Sequence, residues 1–129
     1  MRRSHFFQLR HLTSLLALSA LLFSAQAQSN DLDEVNQLLK SGKQAQALAK
    51  VEQSLSSKPR DAQMRFLKGV IQTEMGKPSD AISTFTKLID DYPELPEPYN
   101  NLAVLHASQG QYDKARAALE MAIRTNPSY

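Results

Sequence analysis

Apolar residues along this chain recur at the spacing of α-helices. Ala81, Ile82, Phe85, Leu88 and Ile89 fall at i, i+1, i+4, i+7 and i+8, which places them on one stripe of a helix with about 3.6 residues per turn. No segment shows the apolar–polar alternation of a half-buried strand strongly enough to compete. The pattern therefore predicts an all-α protein.

Glycine and proline residues divide this pattern into six segments. Glycine favours the left-handed backbone conformation that ends many helices, and proline stops a helix because it lacks an N–H and its ring clashes with the preceding turn. Short turns between the segments favour antiparallel helical hairpins. The predicted helices are 30–41, 44–57, 62–75, 78–91, 97–109 and 112–125.

The breaks themselves recur with a period of 34 residues. Three columns keep one residue type and two more keep an apolar side chain, and a fixed period of this length is the signature of stacked helical repeats. We predict three repeats, covering 28–61, 62–95 and 96–129. The five columns are Gly42, Gly76 and Gly110; Ala47, Ala81 and Ala115; Pro59, Pro93 and Pro127; Val51, Phe85 and Leu119; and Leu55, Ile89 and Ile123.

The repeat pattern resembles the tetratricopeptide repeat (TPR) family. That family has an aromatic residue, Leu and a small residue on its first helix, Gly in the turn, Ala and a bulky apolar residue on the second helix, and a closing Pro. The third repeat matches best, and the second departs from the pattern at Arg65 and Lys68. The matching residues are Gly42, Ala47 and Pro59, then Gly69, Gly76, Ala81, Phe85 and Pro93, and finally Tyr99, Leu102, Gly110, Ala115, Leu119 and Pro127. The resemblance implies a right-handed TPR solenoid of three helix-turn-helix repeats.

A segment of different composition precedes the repeats. Three arginines lie among its first ten residues, an apolar run covers 12–23, and small residues occupy both positions that a signal peptidase reads before Gln28. These features are typical of a secretory signal, and the apolar run is shorter than the roughly 20 residues that a spanning helix needs. We predict that 1–27 is a signal peptide cleaved near Ala27. The mature protein is then periplasmic or secreted, with no membrane association.

Composition excludes several classes of site once this segment is set aside. The segment holds three of the 15 basic residues and none of the 13 acidic ones, so the mature chain carries 12 basic residues and a net charge near −1. No basic cluster remains for nucleic acid, which is therefore not an expected partner. The chain has no cysteine, which excludes disulfides and thiolate metal sites.

No constellation of residues predicts catalysis. His106 is the only histidine after the predicted signal peptide, and a lone histidine makes neither a usual metal site nor a triad. Asp90 and Asp91 are adjacent on a helix, where side chains point about 100° apart, so they cannot face each other as an acid–base pair. We predict no enzyme activity, no catalytic or metal-binding residue and no cofactor.

The resemblance implies instead a protein or peptide partner held against the first helix of each repeat, on the concave face of the solenoid. Leu32 and Phe66 have an alternative role, which is packing within their own repeat. Glu97 also falls at one of the family's ligand positions. The predicted partner-binding residues are Leu32, Asn36, Leu39, Gln63, Phe66, Val70, Asn100 and Val104.

TPR domains of co-chaperones, which this chain also resembles, hold a peptide carboxylate with a basic clamp. Of the clamp positions only Asn36 fits, because Leu32, Leu67, Glu97 and Asn101 occupy the others. The sequence therefore disfavours carboxylate-clamp binding.

The second helix of the last repeat has no following repeat to cover it. Leu119, Ala122 and Ile123 would then be exposed, although terminal repeats usually carry a polar outer face. This face binds a partner, or mediates self-association into a homo-oligomer, or the reading frame is truncated. The leading prediction is an exported scaffold or adaptor of an envelope complex. The alternatives are a self-assembling structural segment and a non-catalytic regulatory subunit of a cell-wall enzyme.

Overall fold

The computed structural model describes residues 30–128 and contains six helices and no strand in that range. The all-α prediction is confirmed, and the helix bounds that fall within this range differ from the predicted ones by at most one residue. The predicted signal peptide and its cleavage near Ala27 lie outside the described residues. The helices are α1 (30–40), α2 (Gln44–Ser57), α3 (Ala62–Glu74), α4 (Pro78–Asp91), α5 (Pro96–Ser108) and α6 (Tyr112–Thr125).

The first helix of each pair ends at one of the repeated glycines. Gly42, Gly76 and Gly110 have φ of 69°, 68° and 72°, a conformation that costs little without a Cβ. The following residue donates its backbone N–H to the carbonyl five residues earlier, as Lys77 does to Gln72 at 2.9 Å, and the glycine N–H bonds a carbonyl three residues earlier. This pair of hydrogen bonds defines the Schellman motif, and it occurs after α1, α3 and α5.

Packing within a hairpin depends on the size of the residues that face each other. A Cβ built on Gly69 of α3 would lie 2.6 Å from two ring atoms of Phe85 on α4. Only glycine therefore lets the fully buried Phe85 ring approach the α3 backbone. The core around this contact joins both hairpins of the last two repeats, and its members are Ala81, Phe85, Leu102 and Leu105, flanked by Phe66, Val70, Ile82, Ile89 and Ala118.

From Glu34 onward the chain forms one compact unit. Within it α3 packs on α4 and α5 on α6, while α2 contacts α3 and α4 contacts α5. Each of these helices therefore packs on its neighbours along the chain, as expected of stacked hairpins.

Ion pairs occupy the positions where the second repeat departs from the TPR pattern. The Arg65 guanidinium lies 2.6 Å from the Asp91 carboxylate, donates to the Lys87 carbonyl at 2.8 Å, and lies over the Tyr92 ring at 6.0 Å. Lys68 pairs with Glu52 of α2 at 3.1 Å. The long side chains thus connect α3 to α4 and to the preceding repeat, where the family usually has apolar residues.

The outer face of α6 is partly apolar. Leu119 is 44% exposed and Ile123 is 55% exposed, although the equivalent Phe85 in the second repeat is fully buried. The sequence-based expectation for Leu119 and Ile123 therefore agrees with the structure. For Ala122 it was wrong, because this side chain is 1% exposed and belongs to the buried side of α6. Across 30–128 no helix combines the length and apolar character needed to cross a membrane.

Candidate binding groove

The first helices of the second and third repeats lie side by side, since α3 and α5 contact each other directly. A groove of about 390 Å³ opens between their first turns and the loop before α5. We call it the α3–α5 groove, and it is lined by Ala62, Gln63, Phe66, Leu95, Glu97 and Pro98. Four of these six residues are apolar, so the groove offers an apolar wall with two polar side chains.

The loops that border the α3–α5 groove are tied together. The Tyr92 hydroxyl donates to the Arg60 carbonyl at 2.7 Å, which joins the loop before α3 to the end of α4. The Tyr99 hydroxyl donates to the Pro93 carbonyl at 3.2 Å, and Asp61 caps α3 by accepting from the Met64 N–H at 3.0 Å. These bonds hold both edges of the groove, so a ligand would meet a site that is already formed.

Phe66 packs within its own repeat, and it also lies where a ligand in the groove could reach it. Its ring centroid lies 5.7 Å from that of Phe85 with the rings tilted by 54°, so it packs against the core of its own repeat. The same half-buried side chain lines the α3–α5 groove. A ligand in the groove would therefore contact a ring that the core already holds in position.

The other predicted partner-binding residues are not all brought to this groove. Gln63 lines it, while Val70 is half-buried against the core cluster. Asn100 is half-buried on α5, and Val104, one helical turn later, is 61% exposed. That Asn100 and Val104 contact a partner remains a prediction.

On α1 the predicted residues Asn36 and Leu39 are half-buried within the compact unit. Leu32 is also half-buried, but it precedes Glu34, where that unit begins. Neither Asn36 nor Leu39 is among the residues that line the α3–α5 groove, so the structure does not bring these two together with Gln63 and Phe66.

The sequence did not predict four of the residues that line the groove, namely Ala62, Leu95, Glu97 and Pro98. Glu97 had been placed at a ligand position but was not selected, and the other three lie outside those positions. A signal was available in the three prolines at 93, 96 and 98, since prolines stiffen a connection. A rigid connection between repeats can form the edge of a preformed groove.

Two sequence models of the tetratricopeptide repeat match the chain, one over residues 32–96 and the other over 72–129. The first of these spans half of the chain. The protein belongs to the TPR family. The α3–α5 groove of this TPR chain thus lies between the first helices of two adjacent repeats.

Several solved structures superpose on this chain at low sequence identity, which shows a shared fold. The type III secretion chaperone SycD of Yersinia enterocolitica, solved with a peptide of the translocator YopD, has a TM-score of 0.74 at 16% identity, over 78% of this chain and 77% of SycD. YrrB, described as a TPR protein with an unusual peptide-binding site, gives 0.69 at 23% identity, over 74% of this chain and 49% of YrrB. MamA gives 0.70 at 16% identity, over 73% of this chain and 55% of MamA. The chain therefore spans about half the length of the MamA and YrrB structures.

A second hollow of this TPR domain has the opposite electrostatic character. Its volume is about 200 Å³, and it is lined by Leu55, Pro59, Arg65, Lys68, Thr84 and Lys87. Two of its three cations are already paired, Arg65 with Asp91 and Lys68 with Glu52. The pairing neutralises most of its charge, so this hollow is a weaker candidate for a ligand than the α3–α5 groove.

His106 takes part in the end of α5 rather than in a reactive site. Its Nδ1 lies 2.7 Å from the Gln111 side-chain oxygen, and its carbonyl accepts the Gln111 N–H at 2.9 Å. Both contacts link the helix end to the turn that follows. The geometry thus gives this histidine a structural role at the end of α5.

Proposed function

We propose that this chain is an exported, non-catalytic TPR scaffold that holds an extended segment of a partner protein in the α3–α5 groove, within an envelope complex. The observation that carries the proposal is the preformed groove between the first helices of adjacent repeats, with an apolar wall and the exposed amide of Gln63. Asn and Gln amides both donate and accept hydrogen bonds, which suits a peptide backbone. SycD in complex with a YopD peptide and the peptide-binding site described for YrrB support a peptide as the ligand.

Crosslinking in living cells tests the groove. A photoreactive residue is placed at Gln63, which is exposed and lines the groove, and in a matched control at Asp80, which is exposed on α4. We expect one reproducible crosslinked product from position 63 and none of the same mass from position 80. Equal products from both positions, or no product from position 63, would contradict a partner in the groove.

Processing of the chain tests export separately. The support is the basic head, apolar run and small-residue cleavage pattern before Gln28. We expect the mature protein outside the cytoplasm with Gln28 at its N-terminus, as read by N-terminal sequencing after cell fractionation. An uncleaved cytoplasmic chain would remove the envelope setting while leaving the groove proposal standing.

The apolar face of α6 favours a second candidate, self-assembly as a structural segment. Leu119, Ile123 and Tyr112 are 44%, 55% and 72% exposed, and exposed apolar patches mark interaction sites. Sedimentation equilibrium of the purified chain should then show a concentration-dependent oligomer that Ile123→Asp dissociates. A monomer at every concentration would exclude this candidate.

A further inference from the structure

The charge on the side chains that line the α3–α5 groove affects which ligands it can bind. Among the described residues that line it, Glu97 alone is charged, and it lies in the first turn of α5, where the helix dipole stabilises a carboxylate. The Glu97 side chain is exposed, and among residues 30–128 no cation pairs with it. The groove therefore presents one uncompensated negative charge beside an apolar wall.

The remaining polar group of the groove carries no charge. Gln63 is exposed, and its amide can bond a peptide N–H or C=O. No lysine or arginine is among the described residues that line the groove, so an acidic side chain or a C-terminal carboxylate would find no cationic side chain there and would be repelled by the Glu97 carboxylate. Bringing like charges together across an interface costs free energy. The Glu97 carboxylate should therefore disfavour acidic ligands more than neutral ones.

We infer that the groove selects a segment in which a large apolar side chain is flanked by lysine or arginine. The inference rests on the proposed function, because it concerns the ligand of that same groove. The apolar side chain lies against Phe66, Leu95 and Pro98, and the basic side chain extends to the Glu97 carboxylate. Gln63 bonds the backbone between them. Charge complementarity with Glu97 is the argument that fixes the occupant as a basic–apolar peptide.

Selection from a random peptide library tests this inference on the full-length purified chain. Phage displaying random dodecapeptides are panned on the wild-type protein, on Glu97→Lys and on Asp80→Asn. Asp80 is a matched control because it also lies in the first turn of a helix and is exposed, but does not line the groove. Circular dichroism checks that each variant keeps its helical content.

The three panning results have distinct meanings. We expect wild type and Asp80→Asn to enrich an apolar residue flanked by Lys or Arg, and Glu97→Lys to enrich an apolar residue flanked by Asp or Glu. The inference would be overturned if the enriched peptides showed no preference for Lys or Arg, or if Glu97→Lys left that preference unchanged. In either case the proposed function would still stand. Failure of any peptide to be enriched would overturn both.

The affinity of one selected peptide gives a second readout. Because Glu97 is exposed, its pair with the ligand is partly screened, and Glu97→Gln should weaken binding by roughly two- to fivefold. The loss should shrink as salt is raised, since the Debye length falls from about 10 Å at 0.1 M to about 3 Å at 1 M. Asp80→Asn should leave the dissociation constant unchanged. A loss of the same size in both variants would show that only net charge matters, and would overturn the role of Glu97.

Discussion

At the residue scale, Gly69 and Phe85 form a close contact between two helices of this TPR domain. Gly69 has no Cβ, and the Phe85 ring fills that space with its outer atoms only 2.6 Å from where a Cβ would be. Phe85 is completely buried and packs on Phe66. The residue that lines the groove is therefore held in place by a contact that only glycine permits.

Gly69→Val tests this contact. The added side chain must displace a buried ring, and overpacking of this kind costs typically 1–3 kcal/mol. We expect a fall of about that size in the free energy of unfolding, measured by urea denaturation followed by circular dichroism. Ala117→Val places the same side chain on an exposed position of α6 and should change stability by about 0.5 kcal/mol or less. Equal effects of the two substitutions would show that the Gly69–Phe85 contact is not what matters.

At the element scale, α3 is joined to α4 by Arg65 as well as by the core. The guanidinium contacts both the Asp91 carboxylate at 2.6 Å and the Lys87 carbonyl at 2.8 Å, and the Arg65 side chain is only 13% exposed. Its planar guanidinium holds several donors in a fixed fork that reaches both acceptors, whereas a lysine ammonium is a compact point charge on a flexible stem. This contact stabilises the hairpin whose first helix bears Gln63 and Phe66.

Arg65→Lys should therefore destabilise the domain although the charge is kept. We expect a loss of about 1 kcal/mol, because Asp91 is 45% exposed and solvent screens part of the pair. Arg116→Lys is the matched control, since that arginine pairs with Asp113 at 71% and 94% exposure and should contribute almost nothing. Thermal unfolding of the two variants beside wild type measures the difference, and a similar melting temperature for all three would contradict a structural role of Arg65.

At the scale of the whole molecule, the repeats are alike in sequence but not in environment. The sequence predicted the helices because Gly42, Gly76 and Gly110 and the prolines two residues beyond α2, α4 and α6 mark their ends locally. It predicted only Gln63 and Phe66 of the groove. Leu95 lies in the connection before α5 and Pro98 lies in the first turn of that helix, and their placement beside α3 depends on packing between repeats. The burial of Ala122 was missed for a similar reason, since it depends on which side of α6 meets α5.

Equivalent positions should consequently respond differently to the same substitution. Phe85→Ala removes a fully buried ring and should cost about 3–5 kcal/mol. Leu119→Ala, in the same column of the repeat, truncates a side chain that is 44% exposed and should cost less than about 1 kcal/mol. Chemical denaturation of both variants makes the comparison. A large loss for Leu119→Ala would indicate that its face of α6 is covered in solution.

The most direct test of the account is a nuclear magnetic resonance titration of the isotope-labelled chain with a selected basic–apolar peptide. The account predicts that backbone amide signals of Gln63, Phe66 and Leu95 and the Gln63 side-chain amide shift with peptide concentration, whereas those of Leu119 and Ile123 stay in place. Shifts confined to α6, with the groove signals unmoved, would contradict the claim that this TPR chain holds its partner between α3 and α5.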